Sequence, residues 1–161
     1  MKTKSRLTGF SIALVIFIFD QWSKFVILQI PELSGNNTIE ITTFFNLALV
    51  FNRGVSFGMF AGHNQPLLFI GISLVIVSVL LTWLWRNSSL MVAVGIGSVI
   101  GGAAGNVVDR FAYGAVVDFL DFHIAGLHWP AFNIADSFVF IGVVVLCVYS
   151  MFFENKNNTK E

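Results

Sequence analysis

Residues 132–153, FNIADSFVFIGVVVLCVYSMFF, are the stretch that decides the fold of this chain. An α-helix rises about 1.5 Å per residue, so about 20 apolar residues cross the roughly 30 Å hydrocarbon core of a membrane. The stretch has that length, and Asp136 is its one formal charge. Because an ionised carboxylate is costly in a membrane, the stretch predicts both a transmembrane helix and a functional residue near its start.

The remaining composition is typical of a membrane protein. Of the 161 residues, 56% are hydrophobic and 11% are charged, whereas about 25% are charged in an average soluble domain. Three more apolar stretches are long enough to cross a membrane, at residues 7–30, 66–85 and 90–108. We therefore expect one integral-membrane domain, mainly α-helical with four transmembrane helices, and a polar tail at residues 154–161. Basic clusters typical of a nucleic-acid surface are absent, so no nucleic-acid partner is expected.

The basic residues predict the orientation of the spans. Six lie at the termini or in the short hairpin between the second and third spans: Lys2, Lys4, Arg6, Arg86, Lys156 and Lys160. The two long connections carry only Arg53 and Arg110. Since cytoplasmic segments carry the excess of Lys and Arg, both termini are predicted in the cytoplasm and both long connections outside. Asp20 and Lys24 interrupt the first span, which favours a retained anchor over a cleaved export signal.

Two further patterns predict how the chain packs. Residues 38–51 are rich in β-branched and aromatic residues and precede a turn signal at Asn52-Arg53-Gly54, which indicates two or more short strands on the outer face. Gly97, Gly101 and Gly105 recur every four residues in the third span. Small residues at that spacing let a neighbouring membrane helix approach closely.

Asp118 and Asp136 are the leading candidates for chemistry, because the predicted topology places both at the outer boundary of the membrane. Two carboxyls within a few ångströms cannot both ionise cheaply, so one keeps a proton and the two titrate as a pair. Such a pair supplies a base that activates water and an acid that protonates the carbonyl oxygen or the leaving amine. From the spacing alone, a structural role is an equal alternative to this catalytic one. In that role each acid separately pairs with Arg110 or caps a helix.

Three asparagines predicted on the outer side of the membrane are candidate binding residues. Asn133 shares a helical face with Asp136 and either holds a carboxylate or a substrate carbonyl, or caps the helix. Asn106 lies at the outer end of the third span. Asn52 lies at the turn after the predicted strands, where a plain turn role is the alternative.

Arg110 is the charged candidate for binding a substrate. It lies four residues after Asn106, and its fixed fork of donors suits backbone carbonyls or a head group. A local ion pair with Asp109 or Asp121, together with capping of the helix C-terminus, is an equal alternative. Asp121 is interpreted as a solvated or arginine-paired acid.

The remaining ionisable residues are predicted to have structural roles. Asp20 and Lys24 lie four residues apart, which favours an ion pair within the first span, with a proton relay in a small transporter as the alternative. His63 is isolated, and His123 and His128 lack a third ligand at a plausible spacing. No metal and no cofactor are therefore expected.

Five motifs together resemble those of the lipoprotein signal peptidases, the signal peptidase II family of bacterial membranes. They are Asp20-Gln-x-x-Lys24, Asn52-Arg-Gly-x-Ser-Phe-Gly58, Gly105-Asn-x-x-Asp-Arg110, Gly114-x-Val-Val-Asp-Phe119 and Phe132-Asn-x-Ala-Asp136. Their order on the four spans covers nearly the whole chain, and no position that matters departs from the family's pattern.

The resemblance implies an aspartic endopeptidase of the bacterial cytoplasmic membrane whose catalytic aspartates correspond to Asp118 and Asp136. The family removes signal peptides from diacylglyceryl-modified prolipoproteins just before the lipid-bearing cysteine, and the cyclic depsipeptide globomycin blocks its active site. Its fold adds a small β-sheet and a loop helix on the extracytoplasmic face. Family positions that line the site or contact substrate correspond to Asn52, Asn106, Arg110 and Asn133. Family positions that mainly support the structure correspond to Asp20, Lys24 and Asp109.

The expected substrate is itself anchored in the membrane. A signal peptide forms a membrane helix, so we expect it to enter laterally, with the scissile bond near the outer surface and its lipid chains among the membrane lipids. Residues 111–130 are expected to form a flexible loop over the site, in which Phe119, Leu120 and Phe122 fold onto the substrate.

Overall fold

The computed structural model describes residues 2–35, 37–54, 65–86 and 89–154, which are mainly helical. The helices are α1 (Lys2–Leu28), α2 (Gln65–Arg86), α3 (Leu90–Tyr113) and α4 (Ile134–Tyr149). The strands are β1 (Thr38–Thr42), β2 (Phe45–Asn52), β3 (Val116–Ile124) and β4 (Leu127–His128). A 3₁₀ turn at Pro31–Leu33 follows α1, and a π-helical turn at Ser150–Glu154 extends α4.

All four described helices are long and apolar enough to cross a membrane. Large apolar side chains such as Leu14, Val75 and Phe140 are exposed along them. A soluble protein rarely exposes so much contiguous apolar surface, so lipid is the solvent that covers these faces. The prediction of a mainly helical protein with four membrane spans is confirmed, although α3 continues past residue 108 to Tyr113 and ends at Gly114 in the left-handed conformation.

The glycines of α3 allow it to pack closely on two sides. A methyl group added at Gly101 would lie 2.6 Å from the carbonyl oxygen of Ala13 in α1, and one at Gly97 would also collide with the backbone of α1. On another face, a methyl group at Gly102 would collide with the carbonyl oxygen of Ala135 in α4. The predicted close approach of a neighbouring helix is confirmed, and it involves two neighbours.

The described strands form one antiparallel sheet in the order β1–β2–β3–β4. The strands predicted at residues 38–51 are confirmed as β1 and β2. In the central pair, Asn52 of β2 lies opposite Val116 of β3, and Val50 lies opposite Asp118. This register brings the motif that begins at Asn52 next to the motif that contains Asp118.

The prediction of a flexible loop at residues 111–130 is wrong, because most of this segment forms the end of α3, β3 and β4. Phe119 of β3 is buried and packs with Ile27 of α1 and Leu33 of the 3₁₀ turn, and Leu120 packs against the same cluster. Phe122 stacks on a neighbouring aromatic ring. Phe119 and Leu120 therefore attach the sheet to α1 and the 3₁₀ turn.

The described residues do not include the loop helix that the resemblance implies. In the described part of the first outer connection, the 3₁₀ turn at Pro31–Leu33 is the one helical segment. Residues 55–64, which include His63 and the second half of the Asn52 motif, lie outside the described residues, as does the tail at 155–161.

Replacing Gly101 with alanine is expected to destabilise the helix bundle by about 1–3 kcal/mol, because the backbone of α1 must move away from the added methyl group. Gly71→Ala in α2 is the matched control, since nothing lies within 4 Å of its added methyl group and alanine favours a helix by up to about 1 kcal/mol. Thermal unfolding in detergent measures both. Equal losses of stability in the two variants would contradict the close packing of α1 on α3.

Candidate active site

Asp118 lies in β3 and is only 1% exposed. Its Oδ1 accepts a hydrogen bond of 2.7 Å from Asn133 Nδ2, and its Oδ2 accepts one of 3.0 Å from Asn52 Nδ2. Burial, and next the nearby charge of Asp136, raise the pKa of Asp118 to about 7, although the two amide donors act in the opposite direction. Burial therefore lets this carboxyl keep its proton to a higher pH than is usual for an aspartate.

Asp136 lies in the first turn of α4, and its Oδ1 accepts a hydrogen bond of 2.7 Å from Asn106 Nδ2. Its backbone N–H donates to Asn133 Oδ1 at 2.9 Å, so Asn133 caps the helix. The same Asn133 side chain donates from its nitrogen to Asp118. Both interpretations of Asn133 from the sequence are therefore correct, because its oxygen caps the helix while its nitrogen holds a carboxylate.

The two aspartates belong to one hydrogen-bond network. Asn133 Nδ2 also donates to Asn106 Oδ1 at 3.1 Å, which completes a path from Asp118 through Asn133 and Asn106 to Asp136. Both bridging groups are neutral amides, so they hold the carboxylates without cancelling their negative charge. The structure thus connects, through two side-chain amides, two acids that lie eighteen residues apart in the sequence.

A cavity of about 760 Å³ opens beside this network. Its polar wall contains Asn52, Asn106, Arg110 and Asp136, while Asp118 lies behind that wall. Its apolar wall contains Trp129, Pro130, Phe132, Val139, Phe140, Ile141 and Val143. Because the α4 residues in this wall belong to a membrane span, the cavity extends from the acids along the lipid-facing side of α4. Its volume is in the range of cavities that bind small ligands, roughly 300–1,000 Å³.

Arg110 contributes a cation to the cavity wall. Its Nη1 donates to the carbonyl oxygen of Asn106 at 3.2 Å, and its guanidinium lies 5.2 Å from the centre of the Phe69 ring in α2. The alternative of an ion pair with Asp109 or Asp121 is wrong, because Asp109 pairs with Lys24 and Asp121 pairs with His128.

Asp121 belongs to a separate polar cluster on the sheet. Its carboxylate lies 2.8 Å from His128 Nδ1 and accepts a hydrogen bond of 3.2 Å from Asn46 Nδ2. The expectation of a solvated or arginine-paired acid is wrong, since Asp121 is buried between β2 and β4. Among the residues that the structure describes, no group of three or more His, Cys, Asp or Glu is arranged to hold a metal ion.

A buried ion cluster lies beneath the two aspartates. Lys24 Nζ lies 2.8 Å from Asp20 Oδ2 and 2.7 Å from Asp109 Oδ2, and all three side chains are almost completely buried. The predicted ion pair between Asp20 and Lys24 therefore forms, and Asp109 joins it. Lys24 Nζ also donates to Asn106 Oδ1 at 3.2 Å, which connects the cluster to the path between the two candidate catalytic acids.

Carboxylate oxygens of the cluster also accept hydrogen bonds from the backbone next to each candidate catalytic aspartate. Asp20 Oδ1 accepts a hydrogen bond of 2.9 Å from the N–H of Ala135, which directly precedes Asp136. Asp109 Oδ2 accepts one of 3.1 Å from the N–H of Val117, the residue before Asp118. The ion cluster therefore fixes the backbone on which both acids are carried.

Gln21 is also a member of this cluster, and its role is not predicted by the sequence analysis. Its Nε2 lies 3.2 Å from Asp20 Oδ2 and 3.0 Å from Asp109 Oδ1, and it also donates to the carbonyl oxygen of Gly105 at 3.3 Å. A side-chain amide inside an apolar span was the available signal, because such a group needs a buried partner. At Gly105, an added methyl group would collide with the carboxylate of Asp20, so the last glycine of the stripe makes room for the cluster.

Replacing Lys24 with methionine is expected to destabilise the protein by about 3–5 kcal/mol, because two buried carboxylates lose their shared cation. Lys4→Met is the matched control, since Lys4 is exposed near the start of α1. The unfolding midpoint in detergent measures both changes. A Lys24→Met midpoint equal to that of the control would show that the cluster does not hold the fold together.

Comparison with known proteins agrees with this architecture. The family model described as signal peptidase (SPase) II matches residues 12–153. A lipoprotein signal peptidase of Aeromonas hydrophila subsp. hydrophila is 40% identical over 159 residues, covering 96% of this chain and 95% of that protein. One from Pelagibacter ubique is 39% identical over 153 residues, covering 93% of this chain and 91% of that protein.

A solved structure shares the fold over nearly the whole chain. It is described as a bacterial membrane enzyme structure by the in meso method at 2.3 Å resolution. The TM-score is 0.81 at 30% sequence identity, and the match covers 96% of this chain and 92% of that one. Together with its membrane-spanning helices, these similarities establish that the chain is a multi-pass membrane protein and belongs to the signal peptidase II family.

Proposed function

We propose that this chain is an aspartic endopeptidase that removes signal peptides from diacylglyceryl-modified prolipoproteins and cleaves just before the lipidated cysteine. Membership of the signal peptidase II family supports the reaction class, and the names of the relatives support lipoprotein substrates. The observation that carries the aspartic mechanism is the path from Asp118 through Asn133 and Asn106 to Asp136 beside the cavity.

In the proposed reaction, the two aspartates hold one proton between them and act as a unit. The ionised carboxylate takes a proton from water while the water oxygen bonds to the scissile carbonyl carbon. The other carboxyl gives its proton to the carbonyl oxygen, which forms a neutral tetrahedral intermediate. One carboxyl then protonates the leaving nitrogen while the other takes a hydroxyl proton, and the carbon–nitrogen bond breaks. The pair ends with one proton, as it began.

The environment of Asp118 suits this role. A carboxyl with a pKa of about 7 exists in both protonation states near neutral pH, so it exchanges a proton with little free-energy cost in either direction. Its two amide donors, Asn52 and Asn133, fix the orientation of both oxygens. Asn106 does the same for Asp136.

The proposed binding roles divide the site residues into two groups. Asn52 and Arg110 lie in the cavity wall, and we assign them to the substrate backbone or the lipid head group. Asn106 and Asn133 hold the two carboxylates in position. We assign Asp20, Lys24 and Asp109 to support, since their contacts reach the backbone beside the acids.

The direction of the apolar wall supports lateral entry of the signal peptide from the membrane. Phe140 and Ile141 of α4 line the cavity and are also exposed on the surface of the span. The lipid chains of the substrate can therefore remain among the membrane lipids while its peptide bond reaches the acids. A globomycin-type inhibitor would occupy the same cavity. The excess of basic residues at the opposite end supports cytoplasmic termini and an active site near the outer face of the bacterial cytoplasmic membrane.

Asp118→Asn and Asp136→Asn are each expected to lower the rate of signal-peptide release by about 10²–10⁴-fold, because each removes one partner of the acid–base pair. Release from a purified lipidated precursor measures the rate, and thermal unfolding confirms the fold. Asp121→Asn is the matched control, as this acid is buried in the same strand but binds Asn46 and His128. Near-normal turnover by either of the first two variants would contradict the proposal.

The pH profile of peptidase activity is expected to fall as the pH rises past about 7, because the proton of the pair is bound below that pKa and lost above it. The hydrogen bond from Asn52 lowers the pKa of Asp118. Asn52→Ala should therefore shift the descending limb to higher pH. Asn37→Ala, which removes an exposed amide that donates to Ser34, should leave the limb in place. Identical profiles for the two variants would exclude Asp118 from the titrating pair.

A further inference from the structure

The β3–β4 hairpin presents apolar side chains at its tip. Ile124 and Leu127 are 79% and 80% exposed, and Trp129, just after β4, is 66% exposed. The two residues between the strands, Ala125 and Gly126, have φ angles of 51° and 81°, so the turn is tight. No Asp, Glu, Lys or Arg occurs between Asp121 and Asp136. An uncharged tip of this kind is unfavourable in water.

The base of the hairpin is polar. His123 of β3 lies opposite His128 of β4, and their rings stack with centres 4.8 Å apart. His128 Nδ1 lies 2.8 Å from Asp121, and His123 Nε2 lies 3.3 Å from Asn46 Oδ1. These contacts fix the base of the hairpin to the sheet. The hairpin is therefore divided along its length into an anchored polar base and an apolar tip.

Through Trp129, the tip adjoins the lipid-facing surface of α4. Trp129 lines the same cavity as Phe140 and Ile141, which are exposed on the membrane span α4. An apolar surface that continues from a membrane span onto a neighbouring element is covered by the same solvent. This continuity favours lipid, rather than another protein, as the partner of the tip.

We propose that the β3–β4 hairpin inserts Ile124, Leu127 and Trp129 into the interfacial layer of the membrane. Insertion is shallow, because the backbone polar groups of an edge strand and a turn cannot be left unpaired in hydrocarbon. Tryptophan prefers the depth of the lipid head groups, where its ring is covered and its N–H is hydrated. The two histidines then lie at or above the head groups, and the mouth of the cavity is held at the membrane surface.

This membrane contact is independent of the proposed hydrolysis, so it is tested without measuring activity. In a Cys147→Ser background, which removes the one native cysteine, Leu127→Cys is labelled with an environment-sensitive fluorophore. The full-length protein is placed in vesicles of phosphatidylcholine and phosphatidylglycerol. Quenching is measured with a lipid that carries a spin label near its head group and with iodide in the water. Glu40→Cys is the matched control, since Glu40 is exposed on β1 at the other edge of the sheet.

The expected result is emission at shorter wavelength and severalfold stronger quenching by the labelled lipid at position 127 than at position 40, with the reverse order for iodide. A second label at Ile124→Cys should behave like the one at position 127. Equal access of iodide to positions 127 and 40 would overturn the proposal, because the tip would then lie in water. Protection of position 127 from both quenchers would also overturn it, since a protein partner or a second copy would then cover the tip.

Discussion

The polar interior of this protein depends on one cation, the ammonium group of Lys24. It is shared by the carboxylates of Asp20 and Asp109, and all three side chains are buried within membrane spans. Charged groups are expensive in such a place unless every oxygen and proton finds a partner. Asp20 Oδ1 accepts a hydrogen bond from the N–H of Ala135, and Asp109 Oδ1 accepts one from Gln21 Nε2. Asp109 Oδ2, which binds Lys24, also accepts a hydrogen bond from the N–H of Val117. The cluster thus binds the backbone at the start of α4 and at the start of β3.

The glycines of α3 make this arrangement possible. Their missing side chains let α1 and α4 approach the central helix, and Gly105 leaves space for the carboxylate of Asp20. A bulkier face on α3 would separate the helices and leave the charges of the cluster without short contacts. Helix packing and the geometry of the candidate active site therefore depend on the same small residues. Asn106 follows the last of these glycines and connects the cluster to Asp136. Its oxygen accepts a hydrogen bond from Lys24, and its nitrogen donates one to Asp136.

Much of the fold could be predicted from the sequence, because membrane spans are long apolar runs and their signal is local. The ion pair of Asp20 and Lys24 has the spacing of one helical turn and was predictable for the same reason. The strand β3 was not predicted, because its apolar residues pack partly against α1 and its partner β2 lies far away in the sequence. The double role of Asn133 depends on which atoms face Asp118, and spacing along the chain does not contain that information.

Infrared difference spectroscopy of the carboxyl C=O stretch tests most directly whether Asp118 and Asp136 share one proton. A pH titration of the detergent-solubilised protein should reveal a protonated carboxyl that releases its proton near pH 7. That transition should be absent from the spectrum of the Asp118→Asn variant. If every carboxyl of the wild-type protein has already released its proton well below that pH, the two aspartates do not share one and the aspartic mechanism is contradicted.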